Sequence, residues 1–169
     1  MESDLTAGIL RVCKILNKHS IDYLLVGGTA VALHGYFRYS VNSAGVIADK
    51  PDVDVWFNPT YGNYFKLLDA LDELGQNVTK FKNEQAPSPK TSFFKYEFDS
   101  FTLDLLPILK SALPFSAAFA RKEQVIFAQV TIPFIGYEDL LRDKAANARA
   151  KDIADIEQLE NRRKSERQQ

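Results

Sequence analysis

Two aspartates separated by one valine stand in the run Lys50-Pro51-Asp52-Val53-Asp54-Val55-Trp56-Phe57. The run reads as a short buried strand. Strand side chains alternate, so Asp52, Asp54 and Trp56 project to one side and Val53, Val55 and Phe57 to the other. Pro51 has no N–H to lose at the entrance, and Asn58-Pro59-Thr60 ends the strand with turn chemistry. Two carboxylates side by side repel each other. A divalent cation with oxygen ligands is the commonest chemical reason for a strand to hold them together.

Two further features could complete a site. Asp104 is a lone acid in the apolar run Phe101-Thr102-Leu103-Asp104-Leu105-Leu106, and a buried carboxylate is unfavourable unless paired or bound to metal. Gly27-Gly28-Thr29 follows the apolar run Tyr23-Leu24-Leu25-Val26 and precedes Ala30-Val31-Ala32-Leu33-His34. That is a strand, a tight glycine turn and a helix start. Glycine lets the backbone approach a ligand closely, the first-turn N–H groups suit an anion, and Thr29 adds a hydroxyl. If the three strands are neighbours, Asp52, Asp54 and Asp104 converge beside the turn. Such a site would hold one or two Mg²⁺ against a nucleoside triphosphate whose phosphates rest on the glycines.

Composition narrows the classes. The chain has 169 residues, a length that suits one domain, and 46% of them are hydrophobic, so a sizeable core can form. A net charge of −1 argues against a strongly basic nucleic-acid binder. The single cysteine, Cys13, excludes a disulfide framework within the chain and a cysteine-based zinc cluster, and His19 and His34 are too few for a histidine metal site. His34 reads as a packed or capping residue. No signal peptide or membrane-spanning run is apparent, so the expected location is cytoplasmic, with no membrane partner.

The elements that must position these residues can be placed by periodicity. Residues 4–19 carry Leu5, Ile9, Val12 and Leu16 at helical spacing, with Ser3 or Asp4 as cap. Gly35 ends the glycine-opened helix. Residues 37–50 read as a long loop, and its Arg38 is a better candidate than His34 for contact with substrate. A helix over 62–74 buries Tyr64, Leu67, Leu68, Leu71 and Leu74. Residues 76–90 read as a loop with a short strand near Val78. Strands over 91–98 and 101–106 join at Asp99-Ser100. A short helix over 115–122 and strands over 125–127 and 130–134 follow. Helices over 137–148, with Leu140, Leu141 and Ala145 inward, and 151–164, with Ile153, Ile156 and Leu159 inward, lead to a fraying charged tail. The expected architecture is α/β (α+β), a mixed sheet with flanking helices. One domain spans 1–169, with its core over about 20–135 and C-terminal helices over about 136–164.

Gly27-Gly28, Asp52-Val53-Asp54 and Asp104 together resemble the nucleotidyltransferase superfamily with the DNA polymerase β-like fold. Its signature is Gly-Gly or Gly-Ser opening a helix, then Asp-x-Asp or Asp-x-Glu, then a third acid on a later strand. Lys144, Arg149, Lys151-Asp152 and Asp155 look like the C-terminal motifs of the abortive-infection type, some members of which are toxins of toxin–antitoxin pairs or act in phage defence. The resemblance covers roughly residues 20–156. Residues 40–51 depart from it and look like an insertion between the glycines and the acid pair.

The resemblance implies that Asp52 and Asp54 bind Mg²⁺ or Mn²⁺ and the triphosphate, and that Asp104 completes a second metal site and acts as base or orients the acceptor. Gly27, Gly28 and Thr29 would cradle the NTP, with Arg38 and Lys144 as further nucleotide contacts. Neither of those two side chains is expected to be needed for the core. The implied activity is transfer of an NMP from an NTP to a hydroxyl on a tRNA, a protein or a small molecule, with a cognate antitoxin or toxin as a protein partner. The alternative is a catalytically weak binding module of the same fold that acts in a protein complex.

Overall fold

A computed structural model describes residues 4–35 and 50–169. Arg38, the loop expected over 37–50 up to residue 49, and a cap at Ser3 lie outside the described residues. The elements in chain order are α1 (Asp4–Lys18), β1 (Tyr23–Val26), α2 (Gly27–Leu33), β2 (Asp52–Phe57), α3 (Tyr61–Glu73), α4 (Thr79–Lys82), β3 (Phe94–Glu97), β4 (Thr102–Leu106), α5 (Phe115–Ala120), β5 (Glu123–Phe127), β6 (Val130–Phe134), α6 (Tyr137–Asn147) and α7 (Ala150–Arg167). The strands form one six-stranded sheet in the order β3-β4-β2-β1-β6-β5. It is mixed: β2 runs parallel to β4 and β6 parallel to β1, and the other neighbours are antiparallel.

Alternation along the strands divides the core into two layers. Val53, Val55 and Phe57 of β2, with Tyr23, Leu25, Leu103 and Leu105, face α1 and α3. Trp56, Leu24 and Val26 face the opposite way, against Ala30 and Val31 of α2, Phe115 of α5, Leu140 of α6 and Leu159 of α7. The same β2 therefore secures the sheet with its odd-numbered side chains and presents Asp52, Asp54 and Trp56 to the second layer. Trp56 is anchored there by donating its indole N–H to the Pro107 carbonyl at 3.1 Å. α3 starts where Thr60 accepts the Asn63 N–H, and it buries the five residues the periodicity selects. Asn63 ties two strand ends together: it exchanges hydrogen bonds with the Asp22 backbone and donates to Asn58 O.

Four expectations are corrected. Val78 is buried but begins no strand; it precedes the single turn α4. On α6, Ala145 is exposed, and the buried positions are Asp139, Leu140, Asp143 and Lys144. On α7, Ile153 is exposed, and Asp152, Asp155 and Leu159 are buried. The charged tail stays helical to Arg167, because Arg162 donates to the Gly35 carbonyl and Arg163 stacks 4.3 Å from the Tyr137 ring.

The polar inner faces of α6 and α7 have a common cause. Lys144 Nζ lies 3.1 Å from Asp152 Oδ1 and 3.1 Å from Asp155 Oδ2, and all three side chains are at most 3% exposed. Arg149 opens α7 and adds a second cation to Asp152, at 2.6 Å from Oδ2. Lys144 is therefore part of the packing, contrary to the expectation that the core does not need it. Lys144→Met leaves two buried carboxylates without their shared cation. It should lower the unfolding free energy by about 3–5 kcal/mol in urea denaturation. A loss within about 0.5 kcal/mol, typical of surface substitutions, would show that the network does not hold these helices.

Candidate active site

The strand registers decide where the acids meet. Asp54 pairs directly with Asp104 across the parallel β2–β4 ladder, and with Val26 across the antiparallel β1–β2 ladder. The residue after Val26 is Gly27, at φ +64, a left-handed conformation that glycine adopts without strain. A Cβ built on Gly27 would collide with the Asp54 carboxylate. Glycine is required at this position twice over, for its backbone angle and for the space. Asp52 lies one alternation along the same face, opposite Thr102. On the far side of Asp104, the β3 residue Lys95 pairs with it, and its Nζ lies 3.9 Å from Asp104 Oδ1.

Of these residues, Val26, Gly27, Asp52, Asp54 and Asp104 line one cavity of about 620 Å³. Its wall includes Gly27, Gly28, Thr29, Asp52, Asp54, Asp104 and Lys144, so the structure brings together every sequence-selected residue within the described part of the chain. It also includes Asp143, Asn147 and Lys110, which sequence reasoning did not select. A signal existed for two of them. Asp143 and Asn147 fall three and seven residues after Leu140, on the inward stripe of α6.

The electrostatics follow from burial and like charge. Burial pushes Asp54 up from 3.8 to about 7; Asp104 and Asp52 add to the rise, and Lys144 and Lys151 oppose it. Asp104 is also raised, first by burial and then by Asp52 and Glu97, with Lys95 pulling the other way. Asp104 Oδ1 is buried and has no hydrogen-bond partner among the described residues. The wall carries four acids, Asp52, Asp54, Asp104 and Asp143, and four cations, Lys110, Lys144, Arg149 and Lys151, but two of those cations are engaged elsewhere. Lys144 is held by Asp152 and Asp155, and Arg149 by Asp152.

Among the described residues, no three His, Cys, Asp or Glu side chains form a ready cation cage. Mg²⁺ does not need one, because it is usually held by one or two carboxylates and completes its shell with water and substrate phosphates. The in-register pair Asp54 and Asp104, with an Asp104 oxygen that accepts no hydrogen bond among the described residues, fits that requirement.

Comparison with solved structures shows what the fold resembles. A lincosamide antibiotic adenylyltransferase in its lincomycin-bound form superposes with a TM-score of 0.57 at 16% identity, over 91% of this chain and 95% of that one. The antibiotic-resistance factor ANT(2'')-Ia gives 0.56 at 16% identity, over 93% and 84%. A nucleotidyltransferase, so described provisionally, from Thermotoga maritima gives 0.52 at 15% identity, over 100% and 97%. No family model and no curated protein matches the sequence. At these identities the likeness establishes the fold, an α/β nucleotidyltransferase fold over nearly the whole chain.

The raised acids give the metal-free protein a definite pH response. Folded Asp54 keeps its proton up to about pH 7, whereas the unfolded chain releases it near the ordinary value of 3.8. Between those limits the folded state binds more protons, so stability is fullest at the acidic end and falls as pH rises through 7. Asp104 and Asp143 are raised as well and act in the same direction. In EDTA, the melting temperature of the wild type should fall between pH 5 and pH 8. Asp54→Asn should flatten that slope and melt higher at pH 8. Identical slopes for the two proteins would rule out Asp54 as their source.

Proposed function

We propose that this chain is a metal-dependent nucleotidyltransferase that moves an NMP from an NTP to a hydroxyl of a small-molecule acceptor and releases pyrophosphate. The observation that carries the reading is the direct pairing of Asp54 with Asp104, with the Gly27 turn against the Asp54 carboxylate. The fold likeness supports the transferase class. Two of the similar structures are described as an antibiotic adenylyltransferase and an antibiotic-resistance factor, which supports a small acceptor. So do a cavity of about 620 Å³, within the size range of small-molecule sites, and a net charge of −1, which does not favour a large RNA.

Each residue then has a role set by its place. Asp54 and Asp104, with Asp52 beside them, would hold Mg²⁺, which when bound neutralises charge on the phosphates and the leaving group. Gly27 lets the chain turn tightly enough for Gly28 and Thr29 to offer their first-turn N–H groups, which have no acceptor within α2. Asp104, raised by burial and holding an oxygen that accepts no hydrogen bond among the described residues, accepts the proton of the attacking hydroxyl. The acceptor oxygen bonds to the α-phosphorus, the bond from that phosphorus to the bridging oxygen breaks, and pyrophosphate leaves with the electron pair. Lys144 acts at one remove. Its ammonium is taken up by Asp152 and Asp155, and it helps to hold α6 and α7 as the wall opposite the acids.

The test is transfer of label from each α-³²P NTP, with Mg²⁺, to separate pools of small metabolites, tRNA and protein. Label should enter the small-molecule pool. Asp104→Asn should lower kcat by about 10²–10⁴, the range for loss of a general base, with the fold intact by circular dichroism. Label in tRNA or protein alone would refute the small acceptor. An unimpaired Asp104→Asn enzyme would remove Asp104 from the chemistry.

A further inference from the structure

The charged run at the end of α7 has no part in the reaction just described. From Glu160 onward every residue of α7 is exposed. Yet Arg162 and Arg163 both bear on the far end of α2, one directly and one through Tyr137. Arg162 donates to the Gly35 carbonyl, and Glu166, one turn on, accepts its Nε–H at 3.4 Å. Gly35 is at φ +98, and a Cβ built on it would collide with the Arg162 guanidinium. Arg163 lies 4.3 Å from the centre of the Tyr137 ring. Tyr137 meets the His34 ring edge to face at 5.8 Å. His34 is held again by Phe134, at 5.0 Å between ring centres, and by the Ile135 carbonyl, 2.9 Å from its Nε2.

α2 needs such support. It has seven residues, too few for a helix to be stable alone, and no side chain caps its start at Val26. Ala30 and Val31 are its buried residues. Its first residues form the Gly27-Gly28-Thr29 turn on the cavity wall, and the residues that follow it lie under Arg162 and beside Tyr137. At about 1.5 Å per residue the two ends are only about 10 Å apart. A helix this short moves as one body, so a contact that fixes one end sets the angle of the other. The guanidinium also has the right charge for the end it holds, where the last carbonyls of a helix lack partners. We propose that Arg162 and Arg163 are positioning residues for the nucleotide: they brace α2 so that its glycine turn stays against Asp54 in the geometry an NTP requires. This rests on the transferase reading above and adds to it a determinant of nucleotide affinity outside the cavity.

The test is isothermal titration of the full chain with ATP, GTP, CTP and UTP in Mg²⁺, and with Mn²⁺ alone. The double variant Arg162→Ala, Arg163→Ala should bind the wild type's preferred NTP about tenfold more weakly, the scale of one hydrogen bond to a charged group. Its Mn²⁺ binding should be unchanged, because the acids stand on β2 and β4 and not on α2. A second double variant, Lys164→Ala, Arg167→Ala, removes the same charge from the same turns. Those two cations are exposed and make no ion pair with α2 among the described residues, so this variant should bind the NTP as the wild type does. All four positions are exposed, so both variants should fold, with circular dichroism as the check. Gly35→Ala breaks the same contact from the α2 side and should weaken the NTP alike. Wild-type NTP affinity in the Arg162 and Arg163 variant overturns the proposal. So does an equal loss in both double variants, which would be the effect of charge alone, or a matching loss of Mn²⁺ affinity, which would be general loosening. The transferase reading fails in a different way, if no NTP binds the wild type, and the brace falls with it.

Discussion

Two carboxylates that face each other across adjacent parallel strands are the constraint on which this structure turns. Asp54 and Asp104 are in direct register, partly buried, and both raised by burial and by the acids near them. Like charges so placed destabilise a sheet. The surroundings accommodate them without removing them. Lys95 approaches Asp104 from the next strand, Lys144 and Lys151 temper Asp54 from the helical side, and Gly27 gives up its side chain so that the Asp54 carboxylate has somewhere to sit. None of these neutralises the pair. Stability is partly given up here to hold two acids together, and any cation that bound the folded chain between them would restore it.

Much of this could be read from local sequence, because the local rules and the fold agree there. The alternation Asp52-Val53-Asp54-Val55 places the acids on one face in any strand, and the glycine turn needs only its two neighbours to be recognised. Every apolar residue that the periodicity selects on α3 and at its C-cap is buried. What could not be read is the pairing. Nothing in either segment says that Asp54 rather than Asp52 lies opposite Asp104; that depends on the register between strands about fifty residues apart.

The C-terminal helices misled for a different reason. Hydrophobic periodicity assumes that the inward face is apolar, and on α6 and α7 it is not. Ile153 is 54% exposed while Asp152 and Asp155 are fully buried. The apolar residue and the acids exchange faces because one lysine, Lys144, reaches both carboxylates at 3.1 Å, and a buried charge is tolerated only with its partner. The pattern Lys144, Arg149, Asp152, Asp155 is visible in the sequence as charge, but its role as an internal clamp appears only when the two helices are folded onto each other.

The division of the sheet into two faces is what lets one short strand do both jobs. Val53, Val55 and Phe57 bury against a layer built from Tyr64, Leu67, Leu71 and the aromatic group around Phe94, with ring centroids from Phe94 to Phe57, Tyr64 and Phe81 at 6.2, 6.3 and 4.8 Å. A slip of β2 by one residue would turn those side chains toward the site and drive Asp52 and Asp54 into this apolar layer. The free-energy gap against that slip is large, since several fully buried hydrophobic side chains would be lost and two carboxylates desolvated without partners. The apolar face therefore fixes the register that the polar face cannot fix for itself. The repulsion between Asp54 and Asp104 is held in place by hydrophobic packing on the other side of the same strands.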